Sequence, residues 1–234
     1  DIKQTFSSIA PYTIEEAYEV VDAIERADMA DLKGELGDLL LQTVYHAAIG
    51  EEQGLFDFHS IADVISDKMV ARHPHVFTNS SQKKSKHKQT QDWEKIKEEE
   101  RKALNQNGTL DGVALGLPAL TRAVKLQNRA ARVGFDWPKV DSVLDKVSEE
   151  IIELTEAKSA LHRHEEFGDL MFVLANLARH LKIDPEQSLR DANKKFTRRF
   201  SEVERKLYKK GSTPTLSNLT EMDALWDEVK GEEK

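Results

Sequence analysis

Glu149-Glu150-Ile151-Ile152-Glu153, followed by Glu166-Phe167-Gly168-Asp169, sets two pairs of carboxylates at spacings of three. A second set lies upstream, in Glu15-Glu16-Ala17-Tyr18-Glu19 and Glu35-Leu36-Gly37-Asp38. A spacing of three puts both side chains of a pair on one helix face. Carboxylates gathered in a cleft repel: at ~5 Å each pair costs roughly 3 kcal/mol at an effective dielectric near 20. Such a cluster raises its pKa values or takes up a cation. Oxygen donors without Cys or His select a hard ion, Mg2+ or Mn2+, and Mg2+ keeps positions open for water and phosphates. A solvated row of surface glutamates is the competing reading for any one pair. Thr13 to Glu16 also fits a capping box, which would give Glu16 a structural role. That escape fails in the second set, where position 151 is Ile and the acids lie mid-helix. Glycine before each Asp (Gly37, Gly168) costs a helix up to ~1 kcal/mol relative to Ala, so something is expected to approach closely there.

These carboxylates need helices beneath them. Residues 13–26 read as a helix capped by Thr13. The next runs from Asp28 to Gly50, where Leu36, Leu39, Leu40, Thr43, Val44 and Ala47 make one buried face. A third covers 59–72 and stops at His73-Pro74, and Pro74 prevents the two flanking histidines from ligating as a helical pair. Residues 78–92 carry no apolar side chain and read as a polar loop, and Trp93 opens a helix through Lys102. Beyond 105–117, read as a linker, helices are expected at 118–132, 142–161 (with Ser142 and Asp145 as a capping box), 163–182, 185–209 and 219–230. No window alternates as a strand does, so the fold class is all-α.

The chain repeats itself. Residues 15–20 match 149–154, Glu35 to Asp38 match Glu166 to Asp169, Lys68 to Arg72 match Lys195 to Arg199, and Trp93 to Lys97 match Trp226 to Lys230. The offsets are 134, 131, 127 and 133 residues. Four ordered matches at nearly one offset imply tandem four-helix-bundle-like units, 1–104 and 118–234, joined by 105–117. On helical wheels the acids line the same edge of the apolar stripe in all four helices. Antiparallel hairpins then let equal edges face, bringing four acids to one cleft.

Composition narrows the function classes. Of 234 residues, 39% are hydrophobic and 32% charged, with no cysteine. Thiolate ligands, thiol nucleophiles and disulfides are therefore absent, which fits a reducing, cytoplasmic compartment. No apolar run approaches ~18 residues, so no membrane span is expected. A net charge of −8 argues against a nucleic-acid footprint. The chain opens at Asp1 rather than Met, which leaves room for a removed leader. Lys195, Arg198 and Arg199 cluster on one helix. They are either a solvated basic face or, beside an acidic metal cluster, a grip for polyphosphate. Trp226, one turn from Lys230, reads as a core residue or a nucleobase neighbour. His162 and His164 read as surface or substrate-facing. No Glu-x-x-His pair is present, which argues against a di-iron bundle.

The paired EExxE and ExxD motifs in tandem, the basic and Trp-containing segments after them, and Arg72 to Phe77, Gly134 to Trp137 and Ala175 to His180 resemble the two-domain MazG nucleoside triphosphate pyrophosphohydrolases over nearly the whole chain. The resemblance implies an all-α homodimer that uses Mg2+ to cleave nucleoside triphosphates to monophosphate and pyrophosphate. It implies metal ligands at Glu150, Glu153, Glu166 and Asp169, with Glu16, Glu19, Glu35 and Asp38 retained in the first copy. Implied nucleotide contacts are Lys146, Glu149, Glu165, Lys195, Arg199, Trp226 and Lys230. The second copy is implied to be the main catalytic one. Two departures bear on substrate preference: the stretch between Glu153 and Glu166 is short, and His162 stands where a lysine is expected. The reaction so implied is attack of water on the α-phosphorus, with Glu149 or Glu165 as base and Lys195 and Arg199 beside the leaving pyrophosphate. Alternatives are a dUTP or phosphoribosyl-ATP pyrophosphohydrolase of the same superfamily, or a regulatory protein that binds nucleotide, alarmone or a protein partner without turnover.

Overall fold

A computed structural model describes residues 4–77 and 105–233, with Ile96, Glu99, Glu100 and Ala103 between them. The polar loop at 78–92 and the Trp93 helix lie outside the described residues, apart from those few positions. The chain divides into two compact units, Asp1–Glu99 and Glu100–Lys234. Among the described residues the only regular elements are helices, as the absence of alternating windows predicts. None of these helices is long and apolar enough to cross a membrane.

The first unit holds α1 (Phe6–Glu25), α2 (Met29–Glu52), α3 (Phe58–Arg72) and the single turn α4 (Pro74–Phe77). α1 starts well before the expected residue 13. Its cap is Thr5: Thr5 Oγ1 accepts from the Ser8 N–H at 3.2 Å, and Ser8 Oγ accepts from the Thr5 N–H at 2.8 Å. Pro11 removes one donor from the second turn but does not end the helix. Thr13 is therefore mid-helix, its Oγ1 3.1 Å from His46 Nε2 on α2, and it caps nothing. Asp28 and Asp57 cap α2 and α3. A Cβ on Gly50 would stand 2.6 Å from the Phe56 ring, so the turn after α2 closes only over glycine. Phe6 packs at the same end, 5.9 Å from the His46 ring and 5.8 Å from Phe56.

The second unit holds α5 (Ala119–Arg132), α6 (Val140–Glu156), α7 (Ala160–His180), α8 (Pro185–Lys209) and α9 (Leu219–Glu232). α6 begins two residues before the expected Ser142, and its N-cap, Lys139, makes no side-chain cap. Ser142 and Asp145 are thus inside the helix and form no capping box. α6 also ends at Glu156 rather than 161, because Ser159 takes the cap of α7 by accepting from the His162 N–H. The α1–α2 and α6–α7 connections are each three residues, 26–28 and 157–159. The same short-looped hairpin thus occurs in both units, as tandem duplication requires. α5 covers one side of α7 and buries Ala123 and Gln127. α8 and α9 close on a small core of Val203, Leu207, Leu225 and Val229, with Met222 and Trp226 packed against it. Within 105–117, Val113 is buried and the Asp111 carbonyl accepts from Arg129.

The two glycines beside the acids do not sit under a close neighbour. Nothing lies within 4 Å of a Cβ built on Gly37 or Gly168. The expected close approach is absent, and that face of each hairpin is open. Apolar side chains share the openness: Leu36 is 50% exposed, Leu40 55% and Phe167 55%.

Candidate active site

Carboxylates of α6 and α7 meet across the second hairpin. Glu150, Glu166 and Asp169 each offer an oxygen within 4.8 Å of the others. Glu150 is 4% exposed and its Oε2 has no hydrogen-bond partner, an orphaned buried oxygen. Lys146, one turn earlier on α6, supplies the cation, with Nζ 2.8 Å from Glu150 Oε1 and 2.7 Å from Glu149 Oε1. The bonds to Glu149 and Glu150 hold the ammonium well above the ordinary lysine pKa. Glu153 is outside the three-carboxylate group. Its oxygen lies 4.0 Å from Lys146 Nζ, and its side chain is 47% exposed. His162 Nε2 sits 2.9 Å from Glu166 Oε1, so that exposed histidine borders the acids. Glu165 is exposed.

The first hairpin repeats the geometry with different electrostatics. Glu16, Glu35 and Asp38 bring oxygens within 4.8 Å of one another. Burial raises the Glu16 pKa, and the negative charges of Glu19 and Asp38 add to it. Burial also raises Glu35, with Glu19 and Asp31 adding charge and Glu19 sharing a hydrogen bond. At the 134-residue offset Lys146 corresponds to Tyr12, and at 131 His162 corresponds to Asp31. Both basic neighbours of the second cluster are thus missing from the first. Gln42 Nε2 reaches Glu16 Oε1 at 3.4 Å.

Both clusters fit a hard divalent cation: the donors are carboxylate oxygens, they converge, and in the second one buried oxygen lacks a partner.

The basic residues form a separate group on the α8–α9 hairpin. Arg199 Nε donates to Glu233 Oε2 at 3.0 Å, and Arg198 Nη2 donates to Glu233 Oε1 at 2.7 Å. The two guanidiniums hold the Glu233 carboxyl down to about 2, Arg199 contributing most. Trp226 packs 5.3 Å from the Phe196 ring and lies under the Arg199 guanidinium at 5.8 Å. Lys230 pairs with Asp227 at 3.1 Å. Arg199, Asp227, Lys230, Gly231 and Glu233 line a cavity of about 470 Å3. Lys195 is exposed on the same helix. No ion pair among the described residues joins this group to the carboxylates of α6 and α7.

Two features were not legible as sites in the sequence. Asp136 accepts from Arg179 and lies 3.1 Å from His180 Nε2, and those two neighbours keep its carboxyl below the ordinary range despite burial. Gln127 and Asn176 are buried amides. Their signal was a polar residue at an apolar step of α5 and of α7.

The MazG nucleotide pyrophosphohydrolase domain matches residues 4–77, which spans α1 to α4. Over 238 aligned residues the chain is 50% identical to a nucleoside triphosphate pyrophosphohydrolase of Escherichia coli, covering 100% of the chain and 90% of that protein. This chain belongs to the MazG family. It is also 40% identical over 231 residues to the nucleoside triphosphate pyrophosphohydrolase/pyrophosphatase MazG of Thermotoga maritima, covering 99% of the chain and 88% of that protein. It is 44% identical to YabN of Bacillus subtilis across 100% of the chain but 48% of that protein.

Proposed function

We propose that the chain hydrolyses nucleoside triphosphates to the monophosphate and pyrophosphate at carboxylate-lined sites of its helical hairpins. The observation that carries this is the convergence of Glu150, Glu166 and Asp169 around an orphaned buried oxygen in a chain of the MazG family. The metal ligands are Glu150, Glu166 and Asp169, with Glu153 completing the set by leaving Lys146. The equivalents in the first copy are Glu16, Glu35, Asp38 and Glu19. The ion is Mg2+, with Mn2+ able to replace it. When bound, a divalent cation supplies Lewis-acid charge to phosphate oxygens and acidifies water.

The chain's own residues do the rest. Glu149 or Glu165 takes the proton of a water aimed at the α-phosphorus. The hydrogen bond from Lys146, which also pairs with Glu150, supports Glu149 in that role. Lys195, Arg198, Arg199 and Lys230 bind phosphate oxygens and neutralise the leaving pyrophosphate. Trp226, packed on Phe196 and under the Arg199 guanidinium, is a further nucleotide contact of the same hairpin. The exposed apolar stripes of the hairpins, and the open space over Gly37 and Gly168, support a homodimer in which a second copy covers them. The repeat units 1–104 and 118–234 each carry one such hairpin, and the second is the main catalytic copy. Nucleoside triphosphates are cytoplasmic metabolites, and the cytoplasm is the proposed place of action.

The test is incubation with a nucleoside triphosphate and Mg2+ in 18O-labelled water. Release of pyrophosphate with label in the monophosphate supports attack at the α-phosphorus. Release of orthophosphate, or label in the pyrophosphate, refutes it.

A further inference from the structure

The α8–α9 hairpin carries a carboxylate of its own in among its cations. Val203, Leu207, Leu225 and Val229 lock the two helices together, and the end of α9 comes to lie beside the Arg198-Arg199 pair of α8. Glu233 is the C-cap of α9. A carboxylate there meets the negative end of the helix dipole, which disfavours it. The guanidiniums hold it in place instead. Arg199 grips Oε2 through Nε at 3.0 Å and Nη2 at 2.5 Å, and Arg198 Nη2 donates to Oε1 at 2.7 Å. Arg199 is backed by the Trp226 ring at 5.8 Å, so its guanidinium has a support that does not depend on the carboxylate.

The cavity of about 470 Å3 at this end is neutral at rest. Its two cations, Arg199 and Lys230, are paired with Glu233 and Asp227. The two ties differ in strength. Lys230 and Asp227 are both exposed, and a solvated pair of that kind holds weakly. The Arg199 and Glu233 side chains are only 19% and 27% exposed, and their contact is the two-pronged one that guanidinium makes. Phosphate oxygens suit the same fork. Glu233 therefore sits where phosphate oxygens would sit.

We propose that Glu233 is a displaceable latch that sets how tightly the hairpin holds a phosphate chain and that evicts free pyrophosphate after cleavage. This role rests on the reading of Arg198 and Arg199 as contacts of the leaving pyrophosphate. Before cleavage the diphosphate arm is tethered to a nucleotide held at the α6–α7 carboxylates. It then meets Glu233 as one tethered group against another. After cleavage the arm is a free ion, and its competitor is still fixed in place by α9. A tethered group has a high effective concentration that a free one lacks, so the carboxylate regains the guanidiniums and pyrophosphate leaves. The monophosphate lacks the arm that reaches these cations, and its affinity is independent of Glu233.

Calorimetry on the full chain with Mg2+ tests it, using wild type, Glu233→Gln and Glu232→Gln. Glu232 loses the same charge one residue away, but its partner is Lys206, so that variant leaves the guanidiniums latched. The probes are inorganic pyrophosphate and AMP. The expected result is that Glu233→Gln tightens pyrophosphate about fivefold, the scale of one partly exposed ion pair. AMP should bind as before, and Glu232→Gln should track wild type with both probes. In turnover, the KM for ATP should fall with the pyrophosphate affinity while kcat does not rise. Pyrophosphate affinity unchanged in Glu233→Gln overturns the latch. So does equal tightening in Glu232→Gln, which would make the effect one of overall charge, and so does equal tightening of AMP. Tightened pyrophosphate in a chain that cleaves no nucleoside triphosphate would sink the catalytic reading alone. Normal turnover with unchanged pyrophosphate affinity would sink the latch alone.

Discussion

Lys146 Nζ lies 2.8 Å from Glu150 Oε1, joining the buried carboxylate of the second cluster to a cation from its own helix. The pair is largely withdrawn from water, with side-chain exposures of 29% and 5%. Removing one member of such a pair leaves the other charge unmatched. Lys146→Met should therefore lower the stability of the metal-free chain by about 2 kcal/mol. Mg2+ should restore most of that, by supplying the missing positive charge. Thermal melts in EDTA and in Mg2+ read both effects, and a variant as stable as wild type in EDTA would show that Lys146 is idle.

Asp169→Asn and Glu166→Gln should each cut pyrophosphate release by about a hundredfold or more, the usual scale for losing one preorganised charge. Neither residue belongs to the buried core, so helical circular dichroism should be unchanged. Full activity in the double variant would move the chemistry to Glu16, Glu35 and Asp38.

In the first cluster, burial and neighbouring carboxylates raise the pKa values of Glu16 and Glu35 above the ordinary 4.5. The folded state then binds protons more tightly than the unfolded chain. Without metal, stability of this unit should be greatest at and below the ordinary glutamate value and decline as pH climbs through the raised values. Mg2+ should flatten the decline. Urea midpoints across that range, with and without Mg2+, would show it. A metal-free midpoint that rises with pH through this window would contradict the assignment.

Glu233 has the opposite sign. Its carboxyl is held down to about 2 by Arg199 and Arg198, so its contribution is complete above the ordinary 4.5 and is lost as pH falls toward about 2. Glu233→Gln should erase that acid-side dependence and release two guanidiniums. Tripolyphosphate should then bind more tightly, which calorimetry at neutral pH would detect. Unchanged affinity would mean that Arg198 and Arg199 do not meet phosphate.

Helix limits were legible wherever punctuation was strong. Asp184-Pro185 and Gly211 fix α8 at the expected 185–209, since aspartate caps, proline starts and glycine ends a helix. They were illegible at 157–159, where Ala-Lys-Ser reads as continuing helix and only the Ser159 cap divides α6 from α7. Pro11 hid the Thr5 start of α1 in the same way. The acid motifs were legible as clusters because a spacing of three survives any small error in helix ends. The position of Glu153 outside the three converging acids was not, since the wheel gives an edge but not which oxygens meet. Gln127 and Asn176 escaped because a pattern of apolar steps passes over the polar residue seated among them.

Tyr12 standing where the second copy has Lys146 should give the duplicated hairpins unequal affinities for a divalent ion. An ammonium already seated among the acids competes with any incoming cation and must swing aside. The first hairpin has no such occupant and relaxes its own repulsion on loading. A titration with Mg2+ should therefore proceed in two stages, the amino-terminal hairpin filling at lower concentration, so that one chain answers to two thresholds.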